Sequence, residues 1–373
     1  MGLGFSFCFW LPGLALLTAC SSSPKKQIHT ARIQQSAPAK NVILLIGDGM
    51  GLAQISAALY SQDGALALEG FPITGAHKPY ASNDLITDSA AGATAFSAGV
   101  KTYNGAIGVD TDTMPVTTIL EEAEERGLAT GLVATSSITH ATPAAFIAHV
   151  KSRKQMEDIA LFFLRTDIDL FVGGGLRYFT DRSQDERNLV EELREKGWQV
   201  HTHLEHELEE LEPEAGSNFA YFSANDQPLP RSQGRTHLPH ATAMAATFLK
   251  ARSERGFFLM IEGAQIDWGG HANASEYIVS EMLDFDRAVA KALAFAKTDG
   301  QTLVVVTADH ETGGYAVNPG STSDSLITGF TTTDHTATLV PVFAFGPRAE
   351  RFSGIYENTE IYHRMREALG WKE

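Results

Sequence analysis

Two aspartate–histidine pairs stand far apart in this chain. Asp267 and His271 are four residues apart in Asp267-Trp268-Gly269-Gly270-His271, and Asp309 and His310 are adjacent. A spacing of four puts both side chains on one face of a helical turn, or brings them together in a tight loop, where they can hold one ion. Asp48, in Gly47-Asp48-Gly49, adds a carboxylate, and His335 adds an imidazole. Carboxylate and imidazole without thiolate suit zinc in a catalytic site with open positions. Glu262 and the hydroxyl of Thr142 suit a harder, oxygen-seeking ion such as magnesium. The cysteines are Cys8 and Cys20, both near the start, so the body of the chain must hold any metal through nitrogen and oxygen. Each pattern also has a plain reading: Asp-His after a strand is a common cap, and Gly-Asp-Gly is a common turn.

The candidate nucleophile is Ser89, in Thr87-Asp88-Ser89-Ala90-Ala91-Gly92-Ala93-Thr94-Ala95. The small residues that follow let backbone and substrate approach closely, and a helix starting there would aim N–H groups at an anion. No Gly-x-Ser-x-Gly elbow surrounds the serine, so activation would fall to a metal rather than a histidine. Spacing alone favours the simpler reading, in which Asp88 or Ser89 caps a helix.

These residues need elements to carry them. Val42 to Ile46 is a continuous apolar run that stops at Gly47-Asp48-Gly49, as expected of a strand buried on both faces. Phe257 to Ile261 stops at Glu262, Leu303 to Val306 stops just before Asp309-His310, and Val340 to Phe345 stops at Gly346-Pro347. Leu128 to Val133 and Leu170 to Val172 are weaker runs of the same kind. Helical patterns lie between them, over 116–126, 186–196, 241–255 and 274–297, the first three closing on glycine. Alternating strands and helices predict an α/β fold with a large, mostly parallel central sheet. Asp48, Glu262, Asp309 and His310 then fall at strand C-termini, the edge where such sheets bind ligands. Residues 180–240 are polar and weakly periodic and read as an excursion from the core. The histidines at 201, 203 and 206 within it read as solvated.

With 373 residues, 43% of them hydrophobic, the chain can bury one large core. Its net charge of −16 provides no basic footprint for nucleic acid. Leu3 to Ala19 is largely apolar but short and broken by Pro12-Gly13, so it reads as a signal peptide over 1–19 rather than a spanning helix. Leu17-Thr18-Ala19-Cys20 resembles a bacterial lipobox, which would put a lipid on Cys20, a tether over 20–39 and the protein on the periplasmic side of a membrane. An ordinary signal peptide that happens to contain a cysteine is the alternative, and no Lys or Arg precedes the apolar run.

Taken in order, the blocks from Lys40 to Gly370 resemble the alkaline phosphatase family. They are Ile43 to Gly51, Thr87 to Ala95, Ile138 to Ala145, Ser152-Arg153, Asp169 to Phe179, Ile261 to Asp267, Thr307 to Gly314, and His335-Thr336 before Val340-Pro341-Val342. The resemblance implies one domain over 40–373 that hydrolyses phosphate monoesters at alkaline pH through a phosphoserine on Ser89. It implies two zinc ions and one magnesium ion, with Asp267, His271 and His335 on the first zinc and Asp48, Asp309 and His310 on the second. Asp48 would also reach magnesium, with Thr142 and Glu262, and Arg153 would grip phosphate. A homodimer is implied as well. His140 and Trp268 stand where some bacterial members carry Asp and Lys, so they are expected to tune magnesium affinity and phosphate binding. A sulfatase is excluded because Ser89-Ala90-Ala91-Gly92-Ala93 lacks the Cys/Ser-x-Pro-x-Arg pattern. A phosphodiesterase of the same superfamily, or a non-catalytic surface lipoprotein that binds phosphate or metal, are the remaining alternatives.

Overall fold

In Val42-Ile43-Leu44-Leu45-Ile46 no residue is polar, because successive side chains enter two different cores. Val42, Leu44 and Ile46 pack on one side of the strand with Phe96, Phe258 and Val305. Ile43 and Leu45 pack on the other with Leu259, Val304 and Phe285. The protein was analysed as a computed structural model that describes residues 1–9 and 37–372. By its contacts the chain divides into a unit of residues 1–35 and a unit of residues 36–373. Residues 1–9 carry no helix or strand. The expected leader and tether, including Cys20, fall largely on residues outside the described ones. Among the described residues no helix is long and apolar enough to cross a membrane.

The strands are β1 Asn41–Gly47, β2 Ile73–Lys78, β3 Ala129–Ser137, β4 Leu170–Gly174, β5 Gln199–Thr202, β6 Phe219–Phe222, β7 Phe257–Gly263, β8 Thr302–Thr307, β9 Glu311–Thr312, β10 Ala316–Val317, β11 Thr328–Gly329, β12 His335–Thr336, β13 Val340–Phe345 and β14 Gly354–Glu357. Ten of them form one sheet in the order β14-β2-β13-β8-β1-β7-β3-β4-β6-β5. All neighbours are parallel except β13, which runs antiparallel to both β8 and β2. This is the expected α/β architecture. The helices are α1 Leu52–Tyr60, α2 Ser89–Ala98, α3 Ile119–Glu125, α4 Ala141–Ala144, α5 Met156–Phe162, α6 Arg177–Thr180, α7 Leu189–Glu195, α8 His237–Arg252, α9 Gln265–His271, α10 Ser275–Asp299 and α11 Glu360–Ala368.

Several boundaries differ from the sequence expectation, each for a local reason. The helix expected from 116 starts at Ile119, because the Thr118 side chain caps it and Glu121 reaches back to the Thr118 N–H. The helix expected from 241 starts at His237, with Pro239 tolerated in its first turn. Residues 180–240 are not an excursion. They contribute α7, the strand β6 beside β4 and the edge strand β5, extending the same sheet. Two four-residue strands separated by acidic turns are too short to show a period.

Candidate active site

Register places the chemistry. Ile46 pairs with Glu262 of β7 and with Thr307 of β8, and Ala134 of β3 also pairs with Glu262. The C-terminal ends of β1, β7 and β8 therefore lie level, and β3 runs on past them to Ser137. Asp48 follows β1, Glu262 closes β7, Asp309 and His310 follow β8, and Thr142 sits on α4 just after β3. Asp48, Glu262, Asp309, His310 and Thr142 are all fully buried.

Three groups of donors converge. Asp48, Asp309 and His310 form one: His310 Nε2 lies 3.3 Å from Asp309 Oδ2 and 3.5 Å from Asp48 Oδ1. Asp267 and His335 form a second, which His310 also approaches, with His335 Nε2 3.5 Å from Asp267 Oδ1. His271 joins it: α9 carries the Asp267–His271 spacing on one turn, and His271 Nε2 lies 3.3 Å from Asp267 Oδ2 and 3.1 Å from His335 Nε2. Asp48, Glu262 and His140 form the third. The rings of His310 and His335 stack with centroids 3.5 Å apart, so the first two groups adjoin. Partners behind the ligands fix their orientation. Thr312 Oγ1 donates to Asp267 at 2.5 Å, Ser136 Oγ donates to Glu262 at 2.7 Å, and the Nδ1 atoms of His271 and His335 face the carbonyls of Thr333 and Thr87 at 2.6 and 2.8 Å.

Ser89 is the first residue of α2, and Asp88 is its cap, accepting from Ala91 N at 3.0 Å. The serine hydroxyl is thus released from capping, and its Oγ lies 3.4 Å from His310 Nε2. Gly92 lets the helix close on β8, because a Cβ there would sit 3.0 Å from Asp309 Cβ. Arg153 Nη1 donates to Asp88 at 3.0 Å, and Nη2 lies 3.3 Å from His140 Nε2. Trp268 meets the His140 ring edge-on, with centroids 6.2 Å apart.

Around Asp48, Glu262 and Asp309 the electrostatics call for positive charge, whereas Asp267 is already stabilised as an anion by His271 and His335. Burial, then Asp309 and Asp267, hold the Asp48 carboxyl far above its ordinary pKa, and burial pushes Glu262 up to about 7. Asp309 is pushed up to about 6 by burial and by Asp267. Burial, then Arg153, lowers His140 to about 3, which keeps its imidazole neutral. Both oxygens of Asp48, Oδ2 of Asp309, Oε1 of Glu262, Oγ1 of Thr142 and Nδ1 of His140 are buried with no hydrogen-bond partner. Buried polar atoms normally have partners, and leaving one without costs about 1–3 kcal/mol. Several such atoms aimed at common points fit bound cations, and the donor set of oxygen and imidazole nitrogen fits zinc and magnesium.

All twelve residues singled out in the sequence lie in or around this basin. Sequence reasoning did not find Asp88 as the anchor of Arg153, nor the supporting Ser136, Thr312, Gln54 and Glu311. Thr312 and Glu311 lie inside the Thr307-to-Gly314 block, but no spacing rule marks a residue that acts from behind a ligand.

A metal-binding hydrolase on a largely parallel α/β sheet is the class that this geometry defines. The family model for alkaline phosphatase matches residues 39–326 and 322–371. Alkaline phosphatase 3 of Bacillus subtilis is 35% identical, the match covering 94% of this chain and 93% of that protein. Alkaline phosphatase of Escherichia coli is 34% identical, over 92% of this chain and 89% of its own. The structure of alkaline phosphatase from the Antarctic bacterium TAB5 superposes with a TM-score of 0.85 at 45% identity, covering 91% of this chain and all of that one. The chain belongs to the alkaline phosphatase family, and its activity class is that of a phosphoric monoester hydrolase.

Proposed function

We propose that this enzyme cleaves phosphate monoesters through a phosphoserine on Ser89, with two zinc ions and one magnesium ion in the buried donor groups. Asp267, His271 and His335 would hold the first zinc, and Asp48, Asp309 and His310 the second. Asp48, Glu262 and Thr142 would hold magnesium, with His140 beside them. A His-to-Asp variant of the TAB5 enzyme, 44% identical to this chain, is described with magnesium bound in its M3 site. That supports a magnesium position in this family. Bound cations supply charge that lowers the pKa of a coordinated hydroxyl and stabilises the oxygens of an in-line displacement.

The remaining chemistry belongs to side chains. Ser89 Oγ attacks phosphorus, the alcohol leaves from the opposite face, and water then releases phosphate from the serine. The N-terminus of α2 faces the anion, and Arg153 offers a planar fork to two phosphate oxygens. Asp88 holds that fork on one side and His140 on the other, so little rotamer entropy remains to be lost on binding. The observation that carries this reading is Ser89 Oγ, freed from capping, 3.4 Å from His310 within a basin of unpartnered buried donors. The test is turnover of p-nitrophenyl phosphate and of bis-p-nitrophenyl phosphate across pH, with and without chelator. Preference for the monoester above neutral pH, lost on chelation and restored by zinc and magnesium, supports the reading. Preference for the diester, or activity indifferent to chelation, would sink it.

The leader supports a second statement about place. Leu17 to Cys20 suits lipid attachment at Cys20 and a periplasmic, membrane-tethered enzyme. Two or more acyl chains would anchor it, since each buried methylene contributes about 0.8 kcal/mol. Cys20→Ser is expected to move the protein to the soluble fraction; continued membrane association would refute the anchor.

A further inference from the structure

Glu311 directly follows His310, is only 4% exposed and binds neither group of ligands. Its Oε1 accepts from Gln54 Nε2 at 2.7 Å and from Tyr315 N at 3.1 Å. Its Oε2 accepts from Gly314 N at 3.2 Å and from the hydroxyl of Thr336. Gln54 in turn accepts from Gly51 N at 3.1 Å and donates to Thr312 O at 2.8 Å. Both carboxylate oxygens are thus engaged, and neither is offered to an ion.

The partners matter more than their number. Gly51 follows the turn that carries Asp48, Thr312 and Glu311 follow Asp309 and His310, and Thr336 follows His335. One carboxylate therefore joins the three segments that supply Asp48, the Asp309–His310 pair and His335. The β9–β12 ladder that pairs Thr312 with His335 and Glu311 with Thr336 is only two residues long. The Gly313 N–Asp334 O bond and His335 Nδ1 on Thr87 O also hold this segment, and the Glu311–Thr336 bond adds a side-chain tie across the short ladder beside His335. Space has been left for this arrangement: a Cβ on Gly51 would overlap Glu311 Cγ.

We propose that Glu311 is a positioning residue that sets the separation of the two zinc groups from behind, without touching ion or substrate. The inference rests on the zinc assignment proposed above. Its alternative is that Glu311 only closes the Gly313-Gly314 turn. Two variants separate these. Glu311→Gln weakens the whole brace, whereas Thr336→Val cuts only the arm toward His335, on a partly exposed residue.

The experiment strips metal from the full chain, reloads it with zinc against a competing colorimetric chelator, and records visible absorption of the cobalt-loaded forms. Wild type is expected to take two zinc ions. Glu311→Gln is expected to bind them about tenfold more weakly, as when a residue supporting a ligand is lost. Thr336→Val is expected to weaken one ion only and to shift the cobalt spectrum, with circular dichroism unchanged. Wild-type affinities and spectra in both variants would overturn the brace. A wild type that takes up no zinc would instead overturn the zinc assignment itself.

Discussion

At the scale of single residues, Arg153 is the group whose geometry makes the sharpest demand. Its guanidinium is held by Asp88 and lies against His140, and in the proposed role only a planar fork would keep those partners while gripping two phosphate oxygens. Arg153→Lys keeps the charge and loses the fork. It is expected to lower kcat/KM by about ten- to a hundredfold, a transition-state loss of about 1.4–2.8 kcal/mol, with metal content unchanged. Steady-state kinetics beside metal analysis check this; a lysine variant as efficient as wild type would contradict it. Ser89 shows the limit of reading residues one at a time. A serine at a helix start is most often a cap, and only the position of Asp88 one residue earlier, taking that role, leaves Ser89 free. The candidate ligand pairs were suggested by carboxylate and imidazole at a helical or strand-end spacing, and the ordered family blocks turned that suggestion into a full candidate set. Glu311 and Thr312 were not legible, because a brace is defined by what it touches across the fold.

At the scale of elements, strands buried on both faces were plain in the sequence, since each is a continuous apolar run between polar stops. The last two strands of the sheet, β6 and the edge strand β5, were not, and what docks their region is not hydrophobic periodicity alone. Arg235 Nη2 donates to Glu281 at 2.6 Å and to Asp284 at 2.8 Å, tying the segment before α8 to α10, with all three side chains at most 3% exposed. Arg235→Ala removes the buried cation shared by Glu281 and Asp284, which keep only the Arg231 N–H and the more exposed Arg231 and Arg287 side chains, and is expected to cost about 3 kcal/mol, read from urea unfolding. A second element contact responds to pH. Both ring nitrogens of His149 face acceptors, Gly108 O at 2.7 Å and Glu121 Oε1 at 2.8 Å, so the contact is complete only in the imidazolium. Burial works against that charge, but the bonds to Glu121 and Gly108 outweigh it and raise the pKa. The folded pKa thus exceeds the unfolded value of about 6.5, so the stabilisation is present below it and is lost as pH rises through the folded pKa. Wild type is expected to lose more thermal stability than His149→Ala between pH 6 and pH 9. An equal loss in both would show that the pair does not link α3 to the segment before Arg153.

At the scale of the whole molecule, the sheet works as a jig. The neighbouring parallel strands β8, β1, β7 and β3 bring together residues that lie between positions 48 and 310, and no local pattern could have shown that convergence. The order of the family blocks did, because it carries the topology with it. The family match opens at residue 39, and Ala39 N donates to Ala368 O at 2.9 Å, joining the segment before β1 to the end of α11. Removing residues 1–36 is therefore expected to leave kcat/KM unchanged, which assays of the shortened protein check directly. The central claim is that phosphate passes through Ser89. Acid-quenching the enzyme during turnover of a 32P-labelled monoester, followed by peptide mapping, tests it most directly. The account predicts label on the peptide carrying Ser89, and neither label nor appreciable turnover in Ser89→Ala. Label elsewhere, or a Ser89→Ala enzyme that turns over like wild type, would contradict it.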